Sequence, residues 1–231
     1  SSSLSLERPL KVAYLGPRAT FTEEAAMQQF GYAARYVPVE SIRDVFNEVE
    51  RGRADFGVVP IENSTSGAVI YTLDMFIDSD LKIYAEMMLE VTQNLMNRSG
   101  KVEDVKKVYT IPPAASQCRQ WIEKNLPGVP VLDAPSTAQA AEMAVDDSTV
   151  GAIASEMAAV LYGLQIVGRK IEDSASNVTR FLVIAVKSPG KTGRDKTSIM
   201  FSIKDKVGAL YSMLAPFAEA GINLNRLDAR P

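Results

Sequence analysis

Short apolar runs alternate with helix-like segments along this chain, and this alternation constrains the fold more than any other feature. Thr20, followed three residues later by Glu23, forms a capping box that predicts the start of a helix directly after the first apolar run. The first sixty residues predict strands at 10–15, 36–39 and 56–61, with helices at 20–31 and 41–52 between them. Two strand–helix–strand units of this kind predict an open, mostly parallel sheet in which 56–61 is a fully buried parallel strand.

The same alternation continues through the middle of the chain. It predicts helices at 66–77, 113–125, 136–145 and 155–162, an extended region at 81–96, and strands at 107–111, 129–132 and 150–154. Ser136 and Ser155 each lie at a strand-to-helix turn, where a hydroxyl is a good helix cap. The repetition predicts two similar α/β lobes that face each other.

Histidine is absent from the 231 residues, and Cys118 is the single cysteine. A zinc site is therefore not expected, and a serine–histidine triad is excluded. One thiol cannot form an internal disulfide, which favours a reducing cytoplasm. The net charge of −3 gives no electrostatic reason to expect nucleic acid or an acidic membrane as a partner. No apolar run approaches the roughly 20 residues that span a bilayer.

The two ends of the chain differ in composition from its middle. Residues 1–9 are serine-rich and predict a disordered leader or linker. Residues 187–195, rich in lysine, glycine and proline, form the clearest linker. Beyond it we expect a strand at 196–203, a helix at 208–220 and a further strand from 222 to 227. That unit is too small to bury its own core, so 196–231 is expected to be the first half of a small domain.

Three polar clusters are candidates for chemistry. Residues 60–67 lie between a buried strand and a helix, so they either bind an anion at a strand end or simply cap the helix. Residues 16–22 are better explained as a tight turn with a capping box than as a ligand-binding loop. Residues 177–181, Asn-Val-Thr-Arg-Phe, bring together a hydroxyl, a guanidinium and an aromatic ring at the start of an apolar strand. That combination suits a small carboxylate ligand, although a turn with a solvated cation would also explain it. Cys118, without a histidine partner, is expected to be a buried packing residue.

Several motifs occur together in a specific order: Gly16-Pro-x-x-Thr20-Phe21, Pro60-Ile-Glu-Asn-Ser-x-x-Gly67, Gln117-Cys118, Ser136-Thr-Ala138, Ile153-Ala-Ser155, Ile171-Glu-Asp173 and Asn177-x-Thr-Arg-Phe181. This set resembles the prephenate dehydratase family over nearly the whole chain. The resemblance implies conversion of prephenate to phenylpyruvate, with loss of water and carbon dioxide, in phenylalanine biosynthesis. It implies no cofactor and no metal.

The resemblance also implies an architecture. Residues 10–186 are expected to form a catalytic domain with the two-lobed α/β fold of the type II periplasmic-binding-protein class. Lobe 1 would comprise about residues 10–88 and 168–186, and lobe 2 about residues 89–167, with the active site between them.

After the linker, Gly208-Ala-Leu210 and Leu227-Asp-Ala-Arg-Pro231 resemble the two effector motifs of an α+β ACT domain. The resemblance implies allosteric inhibition by phenylalanine, bound through Gly208, Ala209, Leu210 and Arg230. Asp228 and Ala229 stand where Glu-Ser is common, which leaves effector specificity open. A homodimer or homotetramer is expected, with prephenate and phenylalanine as small-molecule partners and no nucleic acid or membrane partner.

Three residues are expected to be catalytic. Thr179 would donate a hydrogen bond to the departing hydroxyl, and Arg180 would anchor a substrate carboxylate. Glu62 would act as an acid of raised pKa, or its charge would organise the loop. The expected substrate contacts are Thr20, Phe21, Asn63, Ser64, Thr65, Ser136, Ser155, Asn177 and Phe181, with the two phenylalanine rings excluding water.

Gln93 and Ile111 depart from the resemblance, because many relatives carry histidine at these positions. Either hydroxyl and amide groups suffice for the reaction, or this protein is impaired. Three alternatives therefore stay open: an arogenate dehydratase, a catalytically impaired amino-acid sensor and a solute-binding module of the same fold. The leader would also fit a linker that follows an upstream chorismate mutase domain.

Overall fold

A computed structural model describes residues 8–174, 177–204 and 206–228. The chain divides into two compact units, Ser1–Lys191 and Thr192–Pro231, and the boundary falls inside the predicted linker 187–195. Of the predicted leader 1–9, residues 1–7 lie outside the described residues.

Lobe 1 of the first unit is a mixed sheet with helices on both faces. Val58 packs on the α1 side of the sheet and its neighbour Val59 on the α2 side, which explains why this strand is apolar without alternation. The elements of lobe 1 are β1 (Lys11–Leu15), α1 (Phe21–Phe30), β2 (Arg35–Val39), α2 (Ile42–Glu50), β3 (Phe56–Asn63), β4 (Gly67–Ala68), α3 (Ile70–Met75), β5 (Lys82–Glu90) and β11 (Val178–Ala185).

Lobe 2 is built on a second sheet, and each of its α-helices has six or seven residues. A single turn of 3₁₀ helix, Val102–Asp104, precedes its second strand. The elements of lobe 2 are β6 (Asn94–Asn97), β7 (Lys107–Thr110), α4 (Pro112–Gln117), α5 (Arg119–Asn125), β8 (Val131–Asp133), α6 (Thr137–Met143), β9 (Val150–Ala154), α7 (Glu156–Tyr162) and β10 (Gln165–Gly168). The strand β10 is not anticipated by the sequence pattern.

The two sheets share one strand order. In lobe 1 it is β2-β1-β3-β11-β5, and in lobe 2 it is β8-β7-β9-β6-β10. In each sheet the fourth strand enters from the other lobe and runs antiparallel to both of its neighbours. The chain thus passes between the lobes twice, through residues 91–93 (the first crossing) and residues 169–177 (the second crossing). This duplicated order confirms the predicted two-lobed class. Four of the five strands in each order run in the same direction and the fourth strand runs against them, so the predicted mostly parallel sheet is confirmed with one antiparallel strand in it. The reason for the antiparallel strand is that each strand arriving from the other lobe enters its sheet from the opposite end.

The structure differs from two predicted helices in where they begin or break. The helix predicted over 66–77 begins only at Ile70, because the side chain of Asn63 turns the loop back and Gly67 pairs with β3. The helix predicted over 113–125 breaks at Cys118. There the carboxylate of Asp173, from the second crossing, accepts hydrogen bonds from the backbone N–H groups of Gln120 and Trp121 at the start of α5.

The second unit contains one helix, α8 (Ala209–Glu219), as predicted. The strands predicted at 196–203 and 222–227 do not form within the described part of this unit. A strand needs a hydrogen-bonded neighbour, and the described residues of the unit offer none. Its large apolar side chains, including Phe201 and Leu210, are correspondingly exposed.

Candidate active site

Two of the predicted motifs meet at one edge of the lobe 1 sheet. β3 ends at Asn63, and the antiparallel β11 begins beside it, so that Thr179 lies opposite Asn63 and Arg180 opposite Glu62. The backbone N–H of Ser64 donates to the carbonyl of Val178 at 2.9 Å, and the Ser64 Oγ accepts from the Val178 N–H at 2.9 Å. Motifs more than a hundred residues apart in sequence therefore form one structure at the carboxyl end of β3.

The side-chain amide of Asn63 has a defined orientation. Its Oδ1 accepts from the backbone N–H groups of Thr65 at 2.9 Å and Ser66 at 3.0 Å. Backbone N–H groups can only donate, so the atom facing them must be the oxygen. The Nδ2 of Asn63 is then free to donate twice, to Asn177 Oδ1 at 2.7 Å and to Thr179 Oγ1 at 2.8 Å.

This arrangement leaves the proton of the Thr179 hydroxyl unused. A hydroxyl carries one proton and two acceptor sites, and Asn63 occupies one of the acceptor sites. The Thr179 hydroxyl donates to none of the residues that the structure describes, although its side chain is only 8% exposed. Thr179 is therefore a buried donor whose proton is available to a ligand.

The same hydrogen bonding continues into lobe 2. Asn177 Nδ2 donates to Gln117 Oε1 at 2.9 Å, and Gln93 Nε2 donates to the same oxygen at 3.5 Å. We call the four side chains Asn63, Asn177, Gln117 and Gln93 the amide relay. The relay joins lobe 1, the second crossing, a lobe 2 helix and the first crossing. Gln117 and Gln93 are not among the predicted site residues, although Gln117 belongs to a quoted motif and Gln93 is a noted departure.

The side chain of Arg180 lies on the other face of the sheet from that of Thr179. Thr179 and Arg180 are neighbours in an extended strand, so their side chains point to opposite faces of the sheet. The Arg180 guanidinium lies between two carboxylates, 3.4 Å from Glu62 Oε2 and 3.3 Å from Glu86 Oε2. These two carboxylates balance its charge within the protein, and the role of Arg180 as an anchor for a substrate carboxylate stays a prediction. Glu62 correspondingly fits the alternative role of organising the loop.

Three predicted substrate contacts serve as helix caps. Thr20, Ser136 and Ser155 accept hydrogen bonds from the first turns of α1, α6 and α7. Ser155 also donates its proton to the carbonyl of Ala19 at 3.0 Å, which links lobe 2 directly to lobe 1. Its proton is thus used within the protein, and contact between Ser155 and the substrate stays a prediction. Substrate contact by Thr20, Ser136, Ser64 or Thr65 stays a prediction.

The two phenylalanine residues belong to the core of lobe 1. Phe181 is 2% exposed, and the partly buried Phe21 packs against the same apolar cluster. An open groove of about 640 Å³ lies between the lobes on the β1 and β2 side of the same sheet edge. It is lined by Gly16, Pro17, Arg18, Pro38, Val39, Glu40, Gln139, Leu161 and Tyr162, and does not include Thr179 or the amide relay.

Cys118 is fully buried at the junction of α4 and α5, as predicted. Burial raises the pKa of its thiol to about 12, and the nearby carboxylates of Glu172 and Asp173 add to this rise. At pH 8 such a thiol is a thiolate in roughly one molecule in 10⁴, whereas an unperturbed thiol is ionised in about a quarter of molecules.

We therefore expect the native protein not to react with a thiol reagent at pH 8. Absorbance measured with Ellman's reagent should show one thiol released in guanidinium chloride and almost none in native buffer within the same minutes. Stoichiometric reaction of the native protein on that time scale would contradict the burial and the raised pKa.

The predicted effector residues lie in the second unit. Gly208, with a φ of 78°, precedes α8, and Ala209 and Leu210 form its first turn. Arg230 lies outside the described residues. The structure therefore leaves the predicted effector site a prediction. Among the described ranges, no three acidic or cysteine side chains are grouped closely enough to hold a metal ion.

Two α/β lobes of identical strand order, joined by two crossings, define the two-lobed fold of the periplasmic-binding-protein type. Within that class, residues 12–189 match the family model described as prephenate dehydratase. The chain belongs to the prephenate dehydratase family.

Individual relatives agree with this assignment. The chain is 54% identical over its whole length to a bifunctional chorismate mutase/prephenate dehydratase of Aquifex aeolicus, of which it covers 64%. It is 36% identical to a prephenate dehydratase of Mycobacterium tuberculosis, with 96% of this chain and 73% of the relative covered. A crystal structure of prephenate dehydratase from Arthrobacter aurescens in complex with L-Phe superposes with a TM-score of 0.84 at 33% identity, covering 96% of this chain and 76% of that one.

Proposed function

We propose that this chain is the catalytic part of a lyase that converts prephenate to phenylpyruvate in phenylalanine biosynthesis. The chain spans 64% of the length of two bifunctional relatives that it matches, so the activity of the whole protein is part of the proposal. Family membership supports the reaction. The observation that carries it is the buried Thr179 hydroxyl, which Asn63 holds as a donor.

The reaction needs a donor at one developing charge. As prephenate loses carbon dioxide, the electron pair of the breaking C–C bond enters the ring. The C4–O bond then breaks with its pair on oxygen, and that oxygen takes one proton to leave as water. The aromatic ring that forms supplies the driving force. A donor aimed at the departing oxygen stabilises the transition state more than the ground state.

Thr179 fits this role as a hydrogen-bond donor rather than as an acid. An alcohol is too weak an acid to release its proton at neutral pH, so the proton that completes the leaving water comes from solvent. Thr179 has low exposure, and Phe181, two residues further along the same strand, is buried in the core. Both observations support a low dielectric constant around the donor. Exclusion of water from the bound substrate by Phe21 and Phe181 stays a prediction.

One assay tests the proposed function. Purified protein is given prephenate and, separately, arogenate, and phenylpyruvate and phenylalanine are measured with and without added phenylalanine. Turnover of prephenate is expected. Faster turnover of arogenate would favour an arogenate dehydratase, and binding of either substrate without turnover would favour the impaired sensor. No binding and no turnover would rule out the proposed reaction.

Regulation by phenylalanine is part of the same proposal. The relative from Arthrobacter aurescens was crystallised with L-Phe, and the effector motif Gly208-Ala-Leu210 at the start of α8 supports a partial ACT domain here. We propose inhibition by phenylalanine, a homodimer or homotetramer and a cytoplasmic location. Among the described residues, no helix has the length and apolar character needed to cross a membrane.

Arg180 gives a test that separates a structural role from a substrate-binding role. Arg180→Gln leaves the carboxylates of Glu62 and Glu86 without their shared cation. Because the ion pairs are partly buried, we expect the free energy of unfolding, measured in urea, to fall by about 1–2 kcal/mol. KM for prephenate should change by less than about threefold.

Arg169→Gln is the matched control, since it removes an exposed ion pair with Glu156 and should cost less than about 0.5 kcal/mol. A tenfold or larger rise in KM for Arg180→Gln at unchanged stability would show that Arg180 binds a substrate carboxylate.

A further inference from the structure

Gln93 is held in place by the second crossing. Its backbone N–H donates to Glu172 Oε2 at 2.9 Å, and its carbonyl accepts from the Ile171 N–H at 2.9 Å. The residue is 3% exposed and lies on the first crossing, between β5 and β6. Two backbone hydrogen bonds therefore fix the point from which its side chain extends.

The direction of the Gln93 amide follows from its neighbour. Gln117 Oε1 already accepts from Asn177 Nδ2, which in turn is oriented by Asn63. Only the Nε2 of Gln93 can face that oxygen favourably, since the reverse orientation would bring two carbonyl oxygens together. The Gln93 Oε1 consequently points elsewhere, and it is buried without a hydrogen-bond partner in the part of the chain that the structure describes.

An unpaired buried carbonyl lowers the stability of the folded protein. The loss of its interactions with water is worth about 1–3 kcal/mol, and native proteins leave few such groups. The amide relay is satisfied from Asn63 to Gln117 Oε1, and its unused hydrogen-bonding groups include a donor at Thr179 and an acceptor at Gln93. A ligand with a hydrogen-bond donor would pair the buried Gln93 carbonyl and remove this cost in stability.

We propose that Gln93 Oε1 accepts a hydrogen bond from the hydroxyl of the bound substrate, while its Nε2 helps to orient the amide relay. This inference rests on the proposed function. At neutral pH prephenate has two carboxylates, a keto group and one hydroxyl, so the hydroxyl is its one strong donor. Because the hydroxyl proton points to Gln93 in this hydrogen bond, a lone pair of the hydroxyl oxygen faces the Thr179 donor. Gln93 thereby orients the group that leaves.

Gln93→Leu tests the acceptor. The variant is expected to lower kcat for prephenate about tenfold, while its thermal midpoint is equal to or higher than that of the wild type, because the change removes an unpaired buried carbonyl. A residue kept only for packing would give the opposite pattern, a lower midpoint with kcat unchanged. In a Thr179→Val background the same change should lower kcat by less than about twofold, because both groups act on one hydroxyl.

Gln93→His gives a second readout. A neutral imidazole has one donor and one acceptor, as the amide has here, whereas an imidazolium has only donors. The carboxylate of Glu172, which accepts a hydrogen bond from the backbone N–H of residue 93, favours the charged form. We expect kcat near the wild-type value at pH 8.5 and about tenfold lower at pH 6, relative to the wild type at each pH.

The outcomes are separable. An active wild type with Gln93→Leu at full kcat, or with Gln93→His equally active relative to wild type at both pH values, overturns the inference and leaves the proposed function standing. A wild type that turns over neither substrate removes both.

Discussion

Replacing Thr179 with alanine is expected to lower kcat for prephenate by about 10²-fold or more. The variant removes the donor that faces the departing oxygen in the transition state, and loss of one such donor typically has this effect. KM should change by less than about threefold, because the donor acts mainly on charge that develops during the reaction. Steady-state formation of phenylpyruvate gives both constants.

Two further variants at the same position make the test specific. Thr179→Val keeps the shape of the side chain without its hydroxyl and should match the alanine variant. Thr179→Ser keeps the hydroxyl, still within reach of Asn63 Nδ2, and should retain at least about a tenth of kcat. Unchanged turnover in Thr179→Val would eliminate the proposed role of the hydroxyl.

Asn63→Asp should lower kcat by nearly as much, because it changes the direction of a hydrogen bond. The carboxylate keeps the same size and can still accept from the backbone N–H groups of Thr65 and Ser66. It can no longer donate to Thr179. The Thr179 hydroxyl would instead donate its hydrogen bond to the new carboxylate. The substrate would then face the hydroxyl oxygen as an acceptor and lose its donor. We expect a loss of about 10²-fold in kcat.

The matched control is Asn125→Asp, which introduces the same charge at an exposed asparagine on α5. Its kcat should stay within about twofold of the wild-type value. Circular dichroism should show that Asn63→Asp remains folded, because the turn that the side chain closes is preserved. If Asn63→Asp retained most of the wild-type kcat, the orientation assigned to Thr179 would be wrong.

The extent to which the sequence predicts the site can be seen at Asn63, Asn177 and Thr179. All three were predicted as site residues, and the structure connects them through the Asn63 amide. Gln117 and Gln93 were not predicted as site residues, although they complete the amide relay. Their side chains reach the site from a lobe 2 helix and from the first crossing. No local spacing in the sequence encodes that convergence.

Arg180 shows what the sequence pattern leaves open. A guanidinium beside a hydroxyl in sequence suggests a common ligand, but neighbouring residues in a strand face opposite sides of the sheet. The surroundings of the Arg180 guanidinium depend on the partner strands, because those strands carry Glu62 and Glu86. The helix predicted from residue 66 failed for a similar reason, because the Asn63 side chain captured two backbone N–H groups and turned the chain back toward β3.

The sequence by itself determined the features that depend on a few neighbouring residues. The caps at Thr20, Ser136 and Ser155, the apolar strands and the burial of Cys118 follow from hydrophobic periodicity and short-range hydrogen bonding, and the structure shows each of them. The ordered motifs also identified the family. Only the tertiary structure decided that both sheets are mixed, that Arg180 is neutralised by the protein, and that the Thr179 hydroxyl is a donor. That last property depends on an amide 116 residues away, and the direction of a hydrogen bond is determined only when both partners are in place.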